Sequence, residues 1–341
     1  MRLKVTNGAK NQPELWIHEV IGGMYGGISP GDVREALEGI PDTQTVDVRI
    51  NSDGGSFSDS ITISSILTRR KGGYNAIVDG KAYSGGSVIA DSNLVSLTVA
   101  GTAFDISGIT GTEVIGTLTG VASSTVKLGS KTLELGTNSD FAFDGAAEDG
   151  GLSGGTGGSI KKSGSGVMTL SGSNTYTGAT NITGGTLLLG ADNVLPNTAA
   201  LNLSGGTTFN SGGFSDTTGP LSIATSATID LGSGSTSHVT FTNTGAWSGL
   251  LSIWNYTGGA IWTSSTGDQL NFTSNGLTSG DLANIQFYSD NGVTPVGIGA
   301  GFIGSELVPV PEPTALAVGL ILLSAIGFQG RRRPRARARR S

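Results

Sequence analysis

A serine and two glycine-containing loops in the first ninety residues carry groups suited to acyl transfer. Residues 51–55 read Asn-Ser-Asp-Gly-Gly, and residues 80–87 read Gly-Lys-Ala-Tyr-Ser-Gly-Gly-Ser with Ser84 near their centre. A serine between a strand and a helix lies where backbone N–H groups converge, as an acyl-transfer nucleophile requires. Ser84 is therefore a candidate nucleophile.

Alternating predicted strands and helices must position these loops. The predicted strands are residues 16–18, 45–50 and 74–78, and one predicted helix is residues 58–70. Another helix is predicted to begin at Pro30, because Ser29 can cap it and proline suits its first position. Strands and helices that alternate with short loops predict an α/β unit over residues 1–91.

The two loops together resemble the Clp-type serine peptidases, and especially the phage head maturation proteases of that family. The matching motifs are Ile-Asn-Ser-Asp-Gly-Gly at residues 50–55 and Gly-x-Ala-x-Ser at residues 80–84, and Ser84 stands 29 positions after Gly55. The resemblance implies a partial ClpP/crotonase-like domain in which Ser84 is the nucleophile. It also implies that the amides of Gly55 and Gly85 form the oxyanion hole. Asp53 stands where the family usually has proline.

The remaining members of the family's catalytic triad have no counterpart in this chain. Residues 104–112, where the family's histidine would follow the serine, contain no histidine, and His18 and His238 lie elsewhere. A serine without its base is a poor nucleophile, and losing a triad member costs orders of magnitude in rate. We therefore expect Ser84 to be inert, with a Clp-type endopeptidase as the alternative. Such a fragment would also leave a sheet edge uncovered.

Beyond residue 91 the sequence predicts mainly β structure. Short runs with apolar residues at every second position are separated by Gly, Ser and Asn turns. These runs are residues 96–100, 125–128, 131–135, 167–171, 181–189, 201–203, 221–223 and 227–231. Small residues and few aromatics favour a right-handed β-solenoid-like region over residues 92–309, with coils stacked about 4.8 Å apart. A β-sandwich is the alternative.

One stretch of this region has a more specific pattern. Residues 160–189 contain a K-x-G-x-G-x-x-T-L lead-in, a Ser-Asn-Thr-Tyr-Thr-Gly turn at 173–178 and a Gly-Gly-Thr-Leu strand start at 184–187. These features resemble the autotransporter-associated β-strand repeat of large bacterial surface proteins. The resemblance implies a passive, exported rod without catalytic residues, and its Thr and Asn rows are either solvated faces or polysaccharide-binding surfaces.

The C-terminus combines a polar motif, an apolar run and a basic cluster. Residues 310–313 read Val-Pro-Glu-Pro, residues 314–328 are apolar or small, and residues 331–341 are rich in arginine. Fifteen helical residues span roughly 23 Å, short of the ~30 Å hydrocarbon core. Arginines hold the end of such a helix on the cytoplasmic side, so a short transmembrane helix is predicted. The alternative is a buried helix with a solvated basic end.

The three parts of the tail resemble the PEP-CTERM sorting signal of exopolysaccharide-associated bacterial proteins. The resemblance implies that an exosortase-type membrane protease recognises Pro311, Glu312 and Pro313 and removes the helix and the basic end. Arg331, Arg332 and Arg333 would stop membrane transfer. Residues 266–272 and 276–288 resemble the terminal module that often precedes this signal.

The composition of the chain excludes several classes of site and of binding partner. The chain has no cysteine and two histidines, which leaves neither a disulfide scaffold nor a thiolate or histidine metal site, and no cofactor is predicted. Residues 93–310 contain fourteen Asp or Glu, four Lys and no Arg, too acidic for nucleic acid. The predicted partners are the sorting protease, the membrane and, as a further candidate, exopolysaccharide.

We therefore predict a non-catalytic, exported β-repeat protein of the envelope or extracellular matrix that passes through the inner membrane. Residues 1–19 lack the apolar run of a signal peptide, so retention in the cytoplasm is the alternative location. The tail resembles an export-related sorting signal, whereas the N-terminal residues do not resemble a signal peptide. This contrast and the incomplete triad lead to the hypothesis of a gene fusion or assembly artefact joined near Asp91.

Overall fold

The computed structural model describes residues 3–7, 12–22, 26–53, 55–82, 94–233, 236–258, 267–274, 276–297 and 299–310. The helices are α1 (Pro30–Leu37), α2 (Phe57–Thr68) and α3 (Ser279–Ala283). The strands are β1 (Leu3–Asn7), β2 (Pro13–Ile17), β3 (Val46–Ser52), β4 (Tyr74–Ala82), β5 (Leu94–Leu97), β6 (Ala103–Asp105), β7 (Thr112–Ile115), β8 (Thr117–Gly120), β9 (Thr125–Lys127), β10 (Thr132–Leu135), β11 (Phe141–Phe143), β12 (Ala146–Glu148), β13 (Ser159–Lys162), β14 (Val167–Leu170), β15 (Thr180–Ile182), β16 (Thr186–Leu189), β17 (Leu201–Leu203), β18 (Thr208–Asn210), β19 (Asp216–Thr218), β20 (Leu221–Ile223), β21 (Ala227–Asp230), β22 (His238–Phe241), β23 (Thr244–Trp247), β24 (Leu251–Trp254), β25 (Gln269–Phe272), β26 (Ile285–Tyr288), β27 (Pro295–Val296), β28 (Ala300–Ile303) and β29 (Glu306–Pro309).

The N-terminal region has the predicted alternation of strands and helices. β1 runs antiparallel to β2, and β2, β3 and β4 are parallel neighbours. Ser29 caps α1 as predicted: its hydroxyl accepts from the Asp32 amide at 3.3 Å, and the Asp32 carboxylate accepts from the Ser29 amide at 2.8 Å. This reciprocal pairing satisfies amides that a helix start leaves free. The predicted helix at residues 58–70 is also confirmed, as α2.

β4 joins this region to the rest of the chain. Ala76 pairs with Val95 of β5, and Lys81 pairs with Ala103 of β6, both in parallel register. The expectation of an uncovered sheet edge is therefore wrong. A nine-residue strand is long enough to pair with two short strands in succession, so the edge of β4 is occupied along most of its length.

From β5 onward the chain folds into a β-solenoid of about seven turns. The first sheet holds β1–β6, β8, β9, β11, β12, β14, β16, β18, β21, β24, β26 and β27, the second holds β7, β10, β13, β15, β17, β20 and β23, and the third holds β19, β22, β25, β28 and β29. Facing residues on successive coils are 19 to 34 positions apart, from Met168 with Leu187 to Ile253 with Phe287. Parallel pairing one coil apart is incompatible with the antiparallel neighbours of a sandwich, so that alternative is wrong.

The core is a set of apolar columns that run along the solenoid. Alternate side chains of each strand point inward, and parallel registration stacks them on the equivalent residue of the next coil. The longest column consists of Leu15, Val48, Ala76, Val95, Leu118, Phe141, Met168, Leu187, Phe209, Ile229, Ile253 and Phe287. All of these side chains are buried, so one core continues from the α/β region into the solenoid.

Antiparallel pairs follow the parallel coils at the C-terminal end. β27 runs antiparallel to β26, and β29 runs antiparallel to both β25 and β28. Within the described ranges, no helix combines the length and the apolar character needed to cross a bilayer. The helix predicted over residues 314–328 lies outside the described residues.

Candidate functional sites

Gly55, one of the two predicted oxyanion-hole residues, lies in the short loop between β3 and α2. It forms a parallel bridge with Ile21, and Ser56 donates its amide to the Ile21 carbonyl at 2.6 Å. The φ angle of Gly55 is +140°, and an added Cβ would stand 1.9 Å from the Ile21 carbonyl oxygen. Only glycine permits this approach and this conformation. Packing and backbone conformation are therefore enough to require glycine at this position, and the oxyanion role of Gly55 stays a prediction.

The other predicted site residues lie outside the described residues. These are Ser84, Gly85, Pro311, Glu312, Pro313, Arg331, Arg332 and Arg333. Their roles as nucleophile, oxyanion hole, cleavage motif and membrane stop stay predictions. Among the residues that the structure describes, no group of three or more His, Asp or Glu side chains is arranged to hold a metal ion.

The stretch singled out at residues 160–189 forms two successive coils, β13 with β14 and β15 with β16. Lys162 points into the core, where it takes the place of an aliphatic residue between Leu135 and Ile182 of the neighbouring coils. Its side chain has no solvent exposure. The ammonium group donates to the carbonyl of Gly164 and, at 3.4 Å, to the carbonyl of Gly184. Burial lowers the pKa of Lys162, and Asp140 opposes that shift.

Gly164 of the K-x-G-x-G lead-in and Gly184 of the Gly-Gly-Thr-Leu strand start allow the coils to touch. An added Cβ on Gly164 would stand 1.7 Å from the Thr137 carbonyl oxygen, and one on Gly184 would stand 2.0 Å from that of Ser163. Backbones of adjacent coils approach this closely only where no side chain intervenes. The lysine and the glycines thus form one structural unit, in which the glycine carbonyls bind the buried ammonium group.

The Ser-Asn-Thr-Tyr-Thr-Gly turn also anchors neighbouring coils. The Asn174 side chain accepts from the Ala147 amide at 2.8 Å and donates to the Val194 carbonyl at 2.9 Å. Tyr176 is fully buried, with its hydroxyl 2.6 Å from that of Thr180. Burial raises the pKa of Tyr176, so the phenol stays neutral. The polar side chain of Asn174 in the repeat therefore links its coil to the coils before and after it.

A buried carboxyl group, that of Asp216, fixes a loop in the next part of the solenoid. No sequence pattern predicts this role. Asp216 is 2% exposed, and its Oδ2 accepts from the amides of Val194 and Leu195 at 2.9 Å each. Burial raises the pKa of Asp216 to about 6, against the lowering effect of these amides, and the charge of Asp192 adds to the rise. Asp216 holds the loop that follows β16 against the first strand of the third sheet.

Some polar groups on the outward faces of the first two sheets are paired with one another, and others are not. On the second sheet, Lys161 forms an ion pair with Glu134 at 3.0 Å, and Asn202 donates to Asn181 at 2.8 Å. On the first sheet, a row of hydroxyl groups lies in register on successive coils. It consists of Thr186, Thr208, Thr228 and Ser252. Each is partly exposed, and among the described residues none of these hydroxyls has a hydrogen-bond partner. We call this row the hydroxyl column.

A second row lies beside the hydroxyl column on the same face. The carboxylate of Asp230 accepts from the side-chain amides of Asn210 at 2.9 Å and Asn255 at 2.7 Å. Trp254 follows Asp230 in register, and the backbone of Gly292 lies against its indole ring. This surface therefore presents unpaired hydroxyls next to a fixed polar network and a partly exposed aromatic ring.

Comparison with known proteins identifies one segment. Residues 160–189 match the family described as the passenger-associated-transport-repeat. No curated protein and no solved structure matches the chain. The matched segment begins at Ile160 and ends at Leu189, so it coincides with the two coils that contain Lys162, Asn174 and Tyr176.

The position of the matched segment within the solenoid is the one that a stacked repeat requires. A repeat of this kind cannot bury its apolar face alone and needs neighbouring coils on both sides. Here the two matched coils pair with β10 and β11 before them and with β17 and β18 after them. The chain is a mainly β protein whose solenoid contains one segment similar to the passenger-associated-transport-repeat.

Proposed function

We propose that this chain is a non-catalytic β-solenoid protein of the bacterial envelope or extracellular matrix. The observation that carries the proposal is the match at residues 160–189, where polar side chains join coils to each other. A solenoid of this kind is an extended scaffold, and its outward faces are its working surface. The resemblance of residues 310–341 to a PEP-CTERM signal supports delivery to the inner membrane and cleavage there by an exosortase-type protease.

Processing of the tail tests the location. In a bacterium that has an exosortase-type enzyme, we expect the full chain with a C-terminal epitope tag to lose the tag and to be recovered in the envelope or medium. Pro311→Ala combined with Pro313→Ala should abolish processing, because the recognised motif is gone. Pro295→Ala, an exposed proline outside the motif, should be processed normally. Recovery of the intact, tagged chain in the cytosol alone would refute the proposed location.

Exopolysaccharide is the ligand that we propose for the hydroxyl column and its flanking row. Hydroxyl, amide and carboxylate groups on a rigid face can exchange hydrogen bonds with sugar hydroxyls, and an aromatic ring can pack against a sugar ring. The acidic character of residues 93–310 favours a neutral polymer over an acidic one. A repeating column also offers several equivalent contacts to a repeating chain.

Affinity electrophoresis tests this ligand. We expect the full chain to be retarded in gels that contain hydroxyethyl cellulose, a neutral polymer, and not in gels that contain alginate. Thr186→Val, Thr208→Val and Thr228→Val together keep shape and strand preference but remove three hydroxyls, so binding should weaken by about tenfold or more. Thr112→Val with Thr132→Val, on the second sheet, is the matched control. Equal retardation of the triple variant and the wild type would refute this ligand.

A further inference from the structure

The ends of a β-solenoid pose a problem that its middle does not. Each interior strand pairs on both sides, but the first and last coils present unpaired N–H and C=O groups that can recruit another chain. In this protein β5 and β6 are the first solenoid strands of the first sheet, and they pair on one side with β8 and β9. Their other side would be open without the α/β region.

β4 covers both strands at once. Its residues 76–78 pair with residues 95–97 of β5, and its residues 81 and 82 pair with residues 103 and 104 of β6. The backbone register is the parallel register that the coils use among themselves. The α/β region therefore meets the solenoid as if it were one more coil.

The side chains match as well as the backbone. Val78 is fully buried, and it lies in register between Ile50 of β3 and Leu97 of β5. Behind it, Ile63 and Leu67 of α2 are fully buried in the same core. The apolar interior of the first coil is thus closed by the α/β region, which ends in the antiparallel pair of β1 and β2.

We propose that residues 12–82 act as the N-terminal cap of the solenoid, whatever their ancestry, and that uncovering β5 and β6 leads two copies of this chain to associate through these strands. The partner is a second copy because β5 offers a complete strand edge whose inward residues, Val95 and Leu97, already fit this apolar column. This inference concerns the α/β region and is independent of where the tail directs the protein.

A charge placed within the cap tests the inference in the full chain. Val78→Asp buries a carboxylate in the cap while leaving β5 and β6 unchanged, so we expect residues 12–82 to lose hydrogen-exchange protection and the mass from light scattering to rise with concentration. Ile77→Asp puts the same charge on the partly exposed, outward side of β4 and should leave a protected monomer. A Val78→Asp chain that stays monomeric with wild-type protection in β8–β16 would overturn the proposal.

A milder variant serves if Val78→Asp does not fold. Val78→Ala removes packing without adding charge, so exchange in β5 and β6 should speed up by about tenfold while β17–β24 keep wild-type rates. Uniform acceleration along the whole chain, or none in β5 and β6, would show that the α/β region is no cap. Adding Ser96→Lys to Val78→Asp should restore a monomer, because a charged side chain on the outward, partly exposed face of an uncovered edge strand opposes pairing.

Discussion

Lys162→Glu is expected to destabilise the solenoid by roughly 3–5 kcal/mol, the cost of leaving an unpaired charge in a protein core. The lysine ammonium now donates to the carbonyls of Gly164 and Gly184. A carboxylate there would face those same carbonyl oxygens and the nearby charge of Asp140, so no donor would remain to compensate it. We expect a large fall in the midpoint of urea unfolding.

Lys161→Glu is the matched control. Lys161 and Lys162 are adjacent in sequence, but Lys161 points outward and forms a partly exposed ion pair with Glu134. The change removes this pair and sets two carboxylates side by side, but on a partly exposed face the repulsion is screened, so we expect a cost of about 1 kcal/mol. Urea unfolding followed by circular dichroism measures both variants. Equal losses of stability would contradict the inward orientation of Lys162.

Asp216→Asn is expected to stabilise the protein above pH 6. It should also reduce the change of the unfolding free energy with pH between about pH 4 and pH 6. The amide oxygen can still accept from the amides of Val194 and Leu195, but no charge is buried. The buried carboxyl of the wild type has a pKa of about 6, against 3.8 for an ordinary aspartate. That difference corresponds to about 3 kcal/mol between the two protonation states.

The direction of the pH effect is set by proton binding. Between about pH 4 and pH 6 the folded state holds a proton on Asp216 that the unfolded state has released, so unfolding releases a proton. The stabilisation of the folded state by protonated Asp216 is therefore fully present below about pH 4, and it is lost as the pH rises through about 6. The unfolding free energy of the wild type minus that of Asp216→Asn, measured at each pH, isolates the contribution of Asp216 to stability.

Asp192→Asn serves as the comparison for that measurement. Asp192 is exposed, its Oδ1 accepts from the Ser215 amide at 2.7 Å, and its charge adds to the raised pKa of Asp216. We expect this variant to keep most of the wild-type pH dependence between pH 4 and pH 6. A difference curve for Asp216→Asn that is flat across this range, or that rises with pH, would refute the assignment.

Local patterns predicted most of the secondary structure. The runs at residues 125–128, 167–171 and 221–223 form β9, β14 and β20 because alternation with period 2 needs only a strand with one buried face. The run at 181–189 instead forms two strands, β15 and β16, because the Gly-Gly pair inside it turns a corner of the coil. Gly185 has a φ of +64°, which a strand interior does not use.

The predicted sites and the groups that the structure brings out are different residues. The catalytic and sorting motifs were recognised from sequence, and their roles stay predictions. The groups with a demonstrable physical role, Lys162 and Asp216, were missed. Lys162 had a weak signal, because it stands two positions after the buried Ile160 and so shares its face. Asp216 had none, since its partners lie more than twenty residues away.

The sequence by itself determined the strand alternation, the matched repeat, the helix cap at Ser29 and the acidic, cysteine-free character of the chain. These properties depend on residue type and on neighbours within a few positions. Only the tertiary structure decided that Lys162 is buried and Lys161 partly exposed, that Asp216 is enclosed, and that β4 pairs with the first solenoid strands. Those outcomes depend on the register between strands whose facing residues are 19 to 34 positions apart, and a single-residue shift of that register would turn every side chain to the opposite face.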